Sequence, residues 1–173
     1  IIGFIISIIL LFIAYRSYVA KRKANVIITQ QKLEVETQKI KIEEKNKEIT
    51  DSINYAKFIQ KSILPDPKEI MKIFPNSFGL YKPKDVVSGD FYWITQHGNI
   101  GLIAAADCTG HGVPGALMSM IGIDKLNHAV ANNLTDPGEI LSFINTEVKT
   151  TLRQDEELQN SRDGMDIALC CFD

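Results

Sequence analysis

Two aspartates, each beside a glycine-containing turn, are the residues of this sequence best suited to chemistry. Asp107 follows the apolar run of residues 102–106 and precedes the turn at 109–112, and Asp90 follows Gly89 seventeen residues upstream. Carboxylate and carbonyl oxygens are the ligands that hard divalent cations prefer, and glycine lets backbone carbonyls come close. Two neighbouring antiparallel strands would bring both carboxylates to one cation site. The alternative interpretation is that both aspartates only end strands in turns.

The residue types around these aspartates give a more specific signal. The sequence Gly-Asp-Phe-Tyr at 89–92, followed by Asp-Cys-Thr-Gly-His-Gly-Val-Pro-Gly-Ala at 107–116, resembles the paired motifs of the PPM-type (type 2C) metal-dependent serine/threonine protein phosphatases, in the bacterial SpoIIE-like branch. The similarity runs from about residue 53 to the end of the chain. It includes Ile-Gln-Lys-Ser-Ile-Leu-Pro at 59–65, which is similar to the segment that enters this domain in the family.

The resemblance implies a metal-dependent phosphatase that hydrolyses phosphoserine or phosphothreonine with a water activated by two divalent cations, Mn²⁺ or Mg²⁺. Asp107 would bridge the two cations, Asp90 would bind one, and the backbone carbonyl of Cys108 would add a ligand. The turn would be shaped by Gly89, Thr109, Gly110, His111 and Gly112. His111 could instead donate a proton near the site.

The match to the family pattern is incomplete. The family's remaining metal carboxylates come from later strands, and this sequence ends at Asp173 before either. Asp163 and Asp166 fall where the family has a polar residue close to the site. We therefore expect the 173-residue chain alone to be inactive. Two functions stay open for the whole protein, a phosphatase and a catalytically inactive phosphatase-like signalling module.

A cysteine phosphatase is a different chemistry that the sequence disfavours. Cys108 lies beside glycines, but such a nucleophile needs a cation shortly after its loop, and residues 113–123 contain no Arg or Lys. The other cysteines, Cys170 and Cys171, are adjacent and favour packing roles in a strand. Three cysteines do not form a disulfide framework, which is typical of a reducing cytoplasm.

Charge is distributed unevenly along the chain. Residues 1–65 carry 11 Lys and Arg against 6 Asp and Glu, whereas residues 66–173 carry 8 against 15. An acidic globular half argues against nucleic acid as a partner and suits a cation site. From the family resemblance, the expected partner is a phosphorylated regulatory protein of the anti-sigma-factor-antagonist type.

The first residues predict a membrane anchor. Residues 1–15 are almost wholly apolar, and Arg16 and the basic residues 21–23 follow at once. Basic residues after an apolar run place that side in the cytoplasm. We therefore expect residues 1–20 to be the C-terminal part of a transmembrane helix in the bacterial inner membrane, with the phosphatase domain in the cytoplasm. A cleaved signal peptide is the competing interpretation.

The next segment predicts a cytoplasmic coiled-coil helix over residues 21–64. No proline or glycine occurs between residues 4 and 64, and apolar residues recur every seven positions at Ile28, Val35, Ile42, Ile49, Ala56 and Ile63. The complementary positions are polar at Lys32, Lys39 and Asn46 and apolar at Ile53. We expect a parallel homodimer through residues 28–63; a solvated single helix is the alternative.

Residues 65–173 are predicted to form the phosphatase domain, truncated at its C-terminus. The pattern predicts strands over 78–81, 89–95, 100–106 and 164–172, helices over 113–132 and 137–152, and a loop over 154–162. An Asp136 cap followed by Pro137 marks the start of the second helix. The predicted fold class is α+β: the first half of a layered α/β/β/α sandwich, preceded by the coiled-coil helix and the membrane helix.

Overall fold

The computed structural model describes residues 2–154 and 163–172. The chain forms two compact units, Ile1–Thr50 and Asp51–Asp173. Along the chain lie helix α1 (Ile2–Ile63), helix α2 (Pro67–Ile73), strands β1 (Phe91–His97) and β2 (Ile100–Cys108), helices α3 (Gly112–Ala131) and α4 (Pro137–Thr151), and strand β3 (Met165–Phe172).

The first unit is the part of α1 up to Thr50. Its first turns are apolar and exposed, and by length and composition α1 can cross a membrane. Signal sequences share these properties, so membrane insertion stays a prediction. The helical prediction for residues 21–64 is confirmed to Ile63, because no residue in this stretch breaks a helix.

The second unit is built on an antiparallel sheet in the order β1-β2-β3. Strands β1 and β2 form a hairpin in which His97 pairs with Ile100, and the turn begins with Gly98 at φ 62°. This left-handed conformation is costly for other residues and matches the twist of a two-residue hairpin. Strand β3 returns beside β2, so β2 is the middle strand.

Helices α3 and α4 cover one face of this sheet. The alternating residues of β2 on that face are buried: Leu102, Ala104, Ala106 and Cys108. The helices contribute to the same core, chiefly through Ile123, Leu126, Ala129, Ile140, Ile144 and Val148. The buried Trp93 donates its indole N–H to Asn127 of α3 at 2.8 Å. The face of the sheet that carries Asp107 therefore points away from these helices.

The structure confirms most predicted elements and corrects one. Two strands, two helices and a returning strand occur in the predicted order, and the Asp136 side chain caps α4 by accepting from the Glu139 N–H at 3.0 Å. Residues 78–81 are not a strand, and Phe78 and Leu80 are exposed. A strand needs a paired neighbour, and the described residues provide none beside this segment.

The predicted α+β class is confirmed, whereas the layered sandwich is not. Within residues 2–154 and 163–172 there is one three-stranded sheet with helices on one face, which is an α+β arrangement. A second sheet is not among these residues. The predicted loop at 154–162 lies almost wholly outside the described residues. A short helix that the sequence did not predict, α2, follows Leu64 and is capped by Asp66, which accepts from the Lys68 N–H at 2.8 Å.

Candidate metal centre

The two aspartates meet at one end of the β1-β2 hairpin. Phe91 pairs with Ala106 at the last step of the ladder, so Asp90 and Asp107 are the next residues on the two strands. Residues directly opposite in an antiparallel pair share a face of the sheet. The Asp107 side chain is close enough to the Asp90 carboxyl to affect its ionisation. The predicted meeting of the two carboxylates is therefore present in the structure.

The other two predicted aspartates lie on the far side of β2. Asp166 of β3 pairs directly with Asp107, so three aspartates follow one another across the three strand ends. Asp163 accepts a hydrogen bond from the Thr109 hydroxyl at 3.1 Å. The Thr109 N–H also donates to the Gly164 carbonyl at 3.0 Å. Asp163 thus holds the turn after β2 to the start of β3, and Asp166 has the better position for a role at the site.

The closeness of the two carboxylates affects their ionisation. Partial burial raises the pKa of Asp90 above its usual range, and the adjacent Asp107 carboxylate raises it further. Two like charges held together disfavour the doubly ionised form. A divalent cation between them would remove this repulsion, so the electrostatics of the pair favour cation binding.

Three glycines allow the turn after β2 to pack tightly against the segment that carries Asp90. A Cβ atom at Gly115 would lie 2.6 Å from the Gly110 carbonyl oxygen and 3.0 Å from the Gly89 Cα. A Cβ at Gly89 would lie 2.8 Å from the same oxygen. Gly110 itself has φ 84°, which favours glycine. The site therefore requires glycine at these positions, of which the sequence prediction included Gly89 and Gly110 but not Gly115.

Cys108 presents its backbone to the site and its side chain to the core. The position of a Cβ at Gly89 is 3.2 Å from the Cys108 carbonyl oxygen, so this oxygen lies on the Gly89 side of the turn. The thiol is buried in the core cluster, and burial raises its pKa to about 12. A thiol with such a pKa is not ionised at neutral pH and is a poor nucleophile.

His111 lies at the start of α3 and interacts with a residue that the sequence prediction missed. Its Nδ1 is 3.3 Å from the Asp85 carboxylate, and both side chains face solvent. His111 occupies the N-cap position of α3 without a side-chain capping bond, and Gly112 follows with φ 63°. The turn role predicted for these two residues thus agrees with the backbone, and the Asp85 contact directs the imidazole. Asp85 was missed because it lies in an irregular segment without periodicity.

A buried glutamine, Gln60, holds the segment before Asp90. The sequence analysis named this residue only as part of the family-like segment at 59–65, without a role at the site. Gln60 is 4% exposed and is the buried residue of α1. Its amide donates to the Ser88 carbonyl at 2.6 Å and to the Ser119 hydroxyl at 2.8 Å, and its oxygen accepts from the Ser88 N–H at 3.2 Å. The Ser88 hydroxyl in turn accepts from the Asp90 N–H at 3.1 Å. Gln60 therefore fixes the backbone two residues before Asp90.

A tyrosine fixes the other side of Asp90. The Tyr81 hydroxyl donates to the Asp90 backbone carbonyl at 3.0 Å, and its ring packs edge-on against Tyr92 with centroids 5.4 Å apart. Partial burial raises the pKa of the Tyr81 hydroxyl, so this group stays protonated and able to donate. Asp90 is thus positioned through both its backbone N–H and its backbone carbonyl.

These residues fit a divalent cation, although they do not surround one. Two carboxylates, with one carbonyl on the Gly89 side of the turn, are oxygen donors of the kind that Mn²⁺ and Mg²⁺ accept. Among the described residues there is no cluster of three or more His, Cys, Asp and Glu side chains able to hold a metal. Such cations take about six oxygen ligands, so water or further groups would complete the coordination.

Comparison with known proteins supports the fold that the sequence motifs predict. No protein-family model matches the sequence, and no curated protein does. Among solved structures, the chain is similar to the SiaA-PP2C domain of Pseudomonas aeruginosa, with 38% sequence identity and a TM-score of 0.62. The match covers 72% of this chain and 48% of that one. The matched region therefore has a PPM-type phosphatase fold, and the chain spans about half the length of this neighbour.

Proposed function

We propose that this chain is part of a metal-dependent serine/threonine protein phosphatase of the PPM type, in the SpoIIE-like branch. The observation that carries the proposal is the position of Asp90 beside Asp107, one residue beyond the last pair of the β1-β2 ladder. The similarity to a PP2C domain supports it, and the two sequence motifs that resemble the family's contain both aspartates. The proposed substrate is phosphoserine or phosphothreonine on a regulatory protein, of the anti-sigma-factor-antagonist type that the family resemblance implies.

Each residue of the site has a proposed part in this reaction. Asp107 and Asp90 would hold two cations, with the Cys108 carbonyl as a further ligand. When bound, the cations would lower the pKa of a water molecule and neutralise charge on the phosphoryl oxygens. His111, directed by Asp85, would stand at the rim, able to donate a proton to the departing serine oxygen. The Gln60 and Tyr81 hydrogen bonds would keep Asp90 in place without contacting the substrate.

The remaining parts of the chain suggest where the reaction occurs. The apolar start of α1 would anchor the protein in the bacterial inner membrane, with the second unit in the cytoplasm. The exposed apolar side chains of α1 between residues 26 and 49 support self-association of the helix. These features suggest membrane-tethered signal transduction.

A hydrolysis assay tests the proposal. In a protein containing the complete phosphatase domain, Mn²⁺-dependent release of phosphate from a phosphoserine peptide should be lost in Asp107→Asn and in Asp90→Asn, because an amide is a poor ligand for these cations. Cys108→Ser is the matched control and should retain most activity, since only the backbone of Cys108 faces the site. Wild-type protein that binds Mn²⁺ and the peptide without turnover would instead support the inactive signalling module.

A further inference from the structure

Two stripes of apolar side chains run along opposite sides of α1. The first stripe consists of Ile28, Val35, Ile42 and Ile49, and the second stripe consists of Val26, Leu33 and Ile40. Residues seven apart lie on nearly the same side of a helix, whereas Leu33 and Val35 lie about 160° apart. All seven side chains are more than half exposed, from 51% for Ile40 to 71% for Leu33. A single partner helix can cover only one of these stripes.

Charged residues differ between the two sides of this stretch. The side of the first stripe carries three lysines and one glutamate, namely Lys32, Lys39, Lys45 and Glu34. The side of the second stripe carries four glutamates and two lysines, namely Glu36, Glu43, Glu44, Glu48, Lys41 and Lys47. Within one chain, Lys39 reaches Glu43 at 3.9 Å and Lys45 reaches Glu48 at 2.6 Å across the boundary between the sides. The first side is therefore basic and the second side acidic.

This division disfavours a symmetric pair joined through two first stripes. In such a parallel pair, Lys32 of one helix would face Lys32 of the other between the Ile28 and Val35 layers. Lys39 would face Lys39 one heptad later. Facing lysines at core positions of a coiled coil repel each other and cost stability. The symmetric pair would also leave both second stripes exposed to water.

We propose that copies of this chain associate side by side, with the first stripe of one copy packed against the second stripe of the next. In this contact Ile28, Val35 and Ile42 pack near Val26, Leu33 and Ile40. Each pair differs by two residues, or about 3 Å along the helix, so parallel copies need almost no axial shift. Lys39 of one copy then lies level with the Glu36 and Thr37 turn of the next. The basic side of each helix meets the acidic side of its neighbour.

The contact joins two different surfaces. In a pair of copies, one copy therefore still has its second stripe uncovered and the other its first stripe, and each can bind a further copy. Contacts of this heterologous kind form rings or open rows, and stripes on opposite sides favour a row. The first stripe of each copy thus contacts the second stripe of its neighbour and not the neighbour's first stripe. This arrangement goes beyond phosphatase activity and is independent of whether the second unit is an active enzyme.

Disulfide cross-linking of the full chain in membranes tests the proposal. The exposed Cys170 and Cys171 are first replaced by serine, which leaves the buried Cys108. Differently tagged Leu33→Cys and Val35→Cys chains are then co-expressed and oxidised. The mixed product should exceed both products of like chains, and a chain with both substitutions should give a ladder of dimers, trimers and larger species. Lys41→Cys, which lies between the stripes, is the control and should give little product.

Charge reversal gives a second test. Lys39→Glu in the Val35→Cys chain should lower the mixed product about twofold, the usual effect of an exposed ion pair. Glu36→Lys in the Leu33→Cys chain should restore it. The proposal is overturned if Val35→Cys chains cross-link mainly with each other, if no pair cross-links above the Lys41→Cys control, or if the charge reversal is not rescued.

Discussion

Gln60 and Ser88 are joined by two hydrogen bonds between one side chain and one peptide segment. The Gln60 amide donates to the Ser88 carbonyl at 2.6 Å, and the Gln60 oxygen accepts from the Ser88 N–H at 3.2 Å. Both residues are buried, with Gln60 only 4% exposed. Ser88 precedes the glycine and aspartate of the candidate site. The end of α1 therefore supports the geometry of Asp90 directly.

Removal of the Gln60 side chain should destabilise the second unit. Gln60→Ala leaves the buried Ser88 N–H and carbonyl and the Ser119 hydroxyl without this partner, which costs about 1–3 kcal/mol in the free energy of unfolding. Chemical denaturation measures this change. The exposed neighbour Lys61→Ala is the control and should change stability by less than about 0.5 kcal/mol. If both variants unfold at the same denaturant concentration, the Gln60 contacts contribute nothing.

The close packing of the glycines gives a prediction about the turn. Gly115→Ala places a methyl group 2.6 Å from the Gly110 carbonyl oxygen, and this oxygen belongs to the backbone and cannot rotate away. We expect a loss of about 1–3 kcal/mol in stability, together with weaker Mn²⁺ binding because the turn after Asp107 must move. Gly164→Ala, where a Cβ meets nothing within 4 Å, is the matched control. Equal stability of the two variants would show that the turn is not tightly packed.

The three cysteines should differ in reactivity. Cys108 is buried and its thiol has a pKa of about 12, whereas Cys170 and Cys171 are exposed. Iodoacetamide at pH 7.5 should therefore modify Cys170 and Cys171 in the folded protein and leave Cys108 unmodified until the protein is unfolded. Mass spectrometry of the peptides distinguishes the sites. Rapid labelling of Cys108 in the folded state would contradict its placement in the core and would reopen the cysteine-nucleophile hypothesis.

The carboxyl of Asp90 should titrate with a raised pKa. Its pKa is raised above the usual value of about 3.9 by partial burial and by Asp107. A carboxyl with a raised folded-state pKa penalises the folded state once it ionises, so its contribution to stability falls as pH rises from the usual value through the folded-state value. Carbon-13 NMR titration without metal should show the raised pKa, and Asp107→Asn should lower it. An Asp90 titration that Asp107→Asn leaves unchanged would contradict the coupling.

Local patterns were sufficient to predict most of the elements. Residues 102–106 are apolar and lie in β2, Gly98 begins the turn between the two predicted strands, and Pro137 starts α4. Asp90 and Asp107 could be predicted as neighbours because a short hairpin fixes the register of its strands. These features depend on contacts between residues close in sequence.

The contacts that the sequence did not predict join distant segments. Gln60 reaches Ser119 of α3, and His111 reaches Asp85, across 59 and 26 residues. A glutamine in a helix is ordinarily exposed, and only packing of the whole unit reveals that this one is buried. The prediction of a strand at 78–81 was wrong for a related reason. A local sequence pattern does not show whether another strand lies beside the segment to pair with it.

Binding of Mn²⁺ to this chain tests the central claim most directly. Titration followed by electron paramagnetic resonance of free Mn²⁺ should show weak binding to the wild-type chain, because two carboxylates supply only part of the coordination. Asp90→Asn and Asp107→Asn should each abolish that binding, whereas Asp124→Asn, at an exposed position on α3, should not change it. Binding that persists in both site variants, or that is lost equally in Asp124→Asn, would show that Asp90 and Asp107 do not form the metal centre.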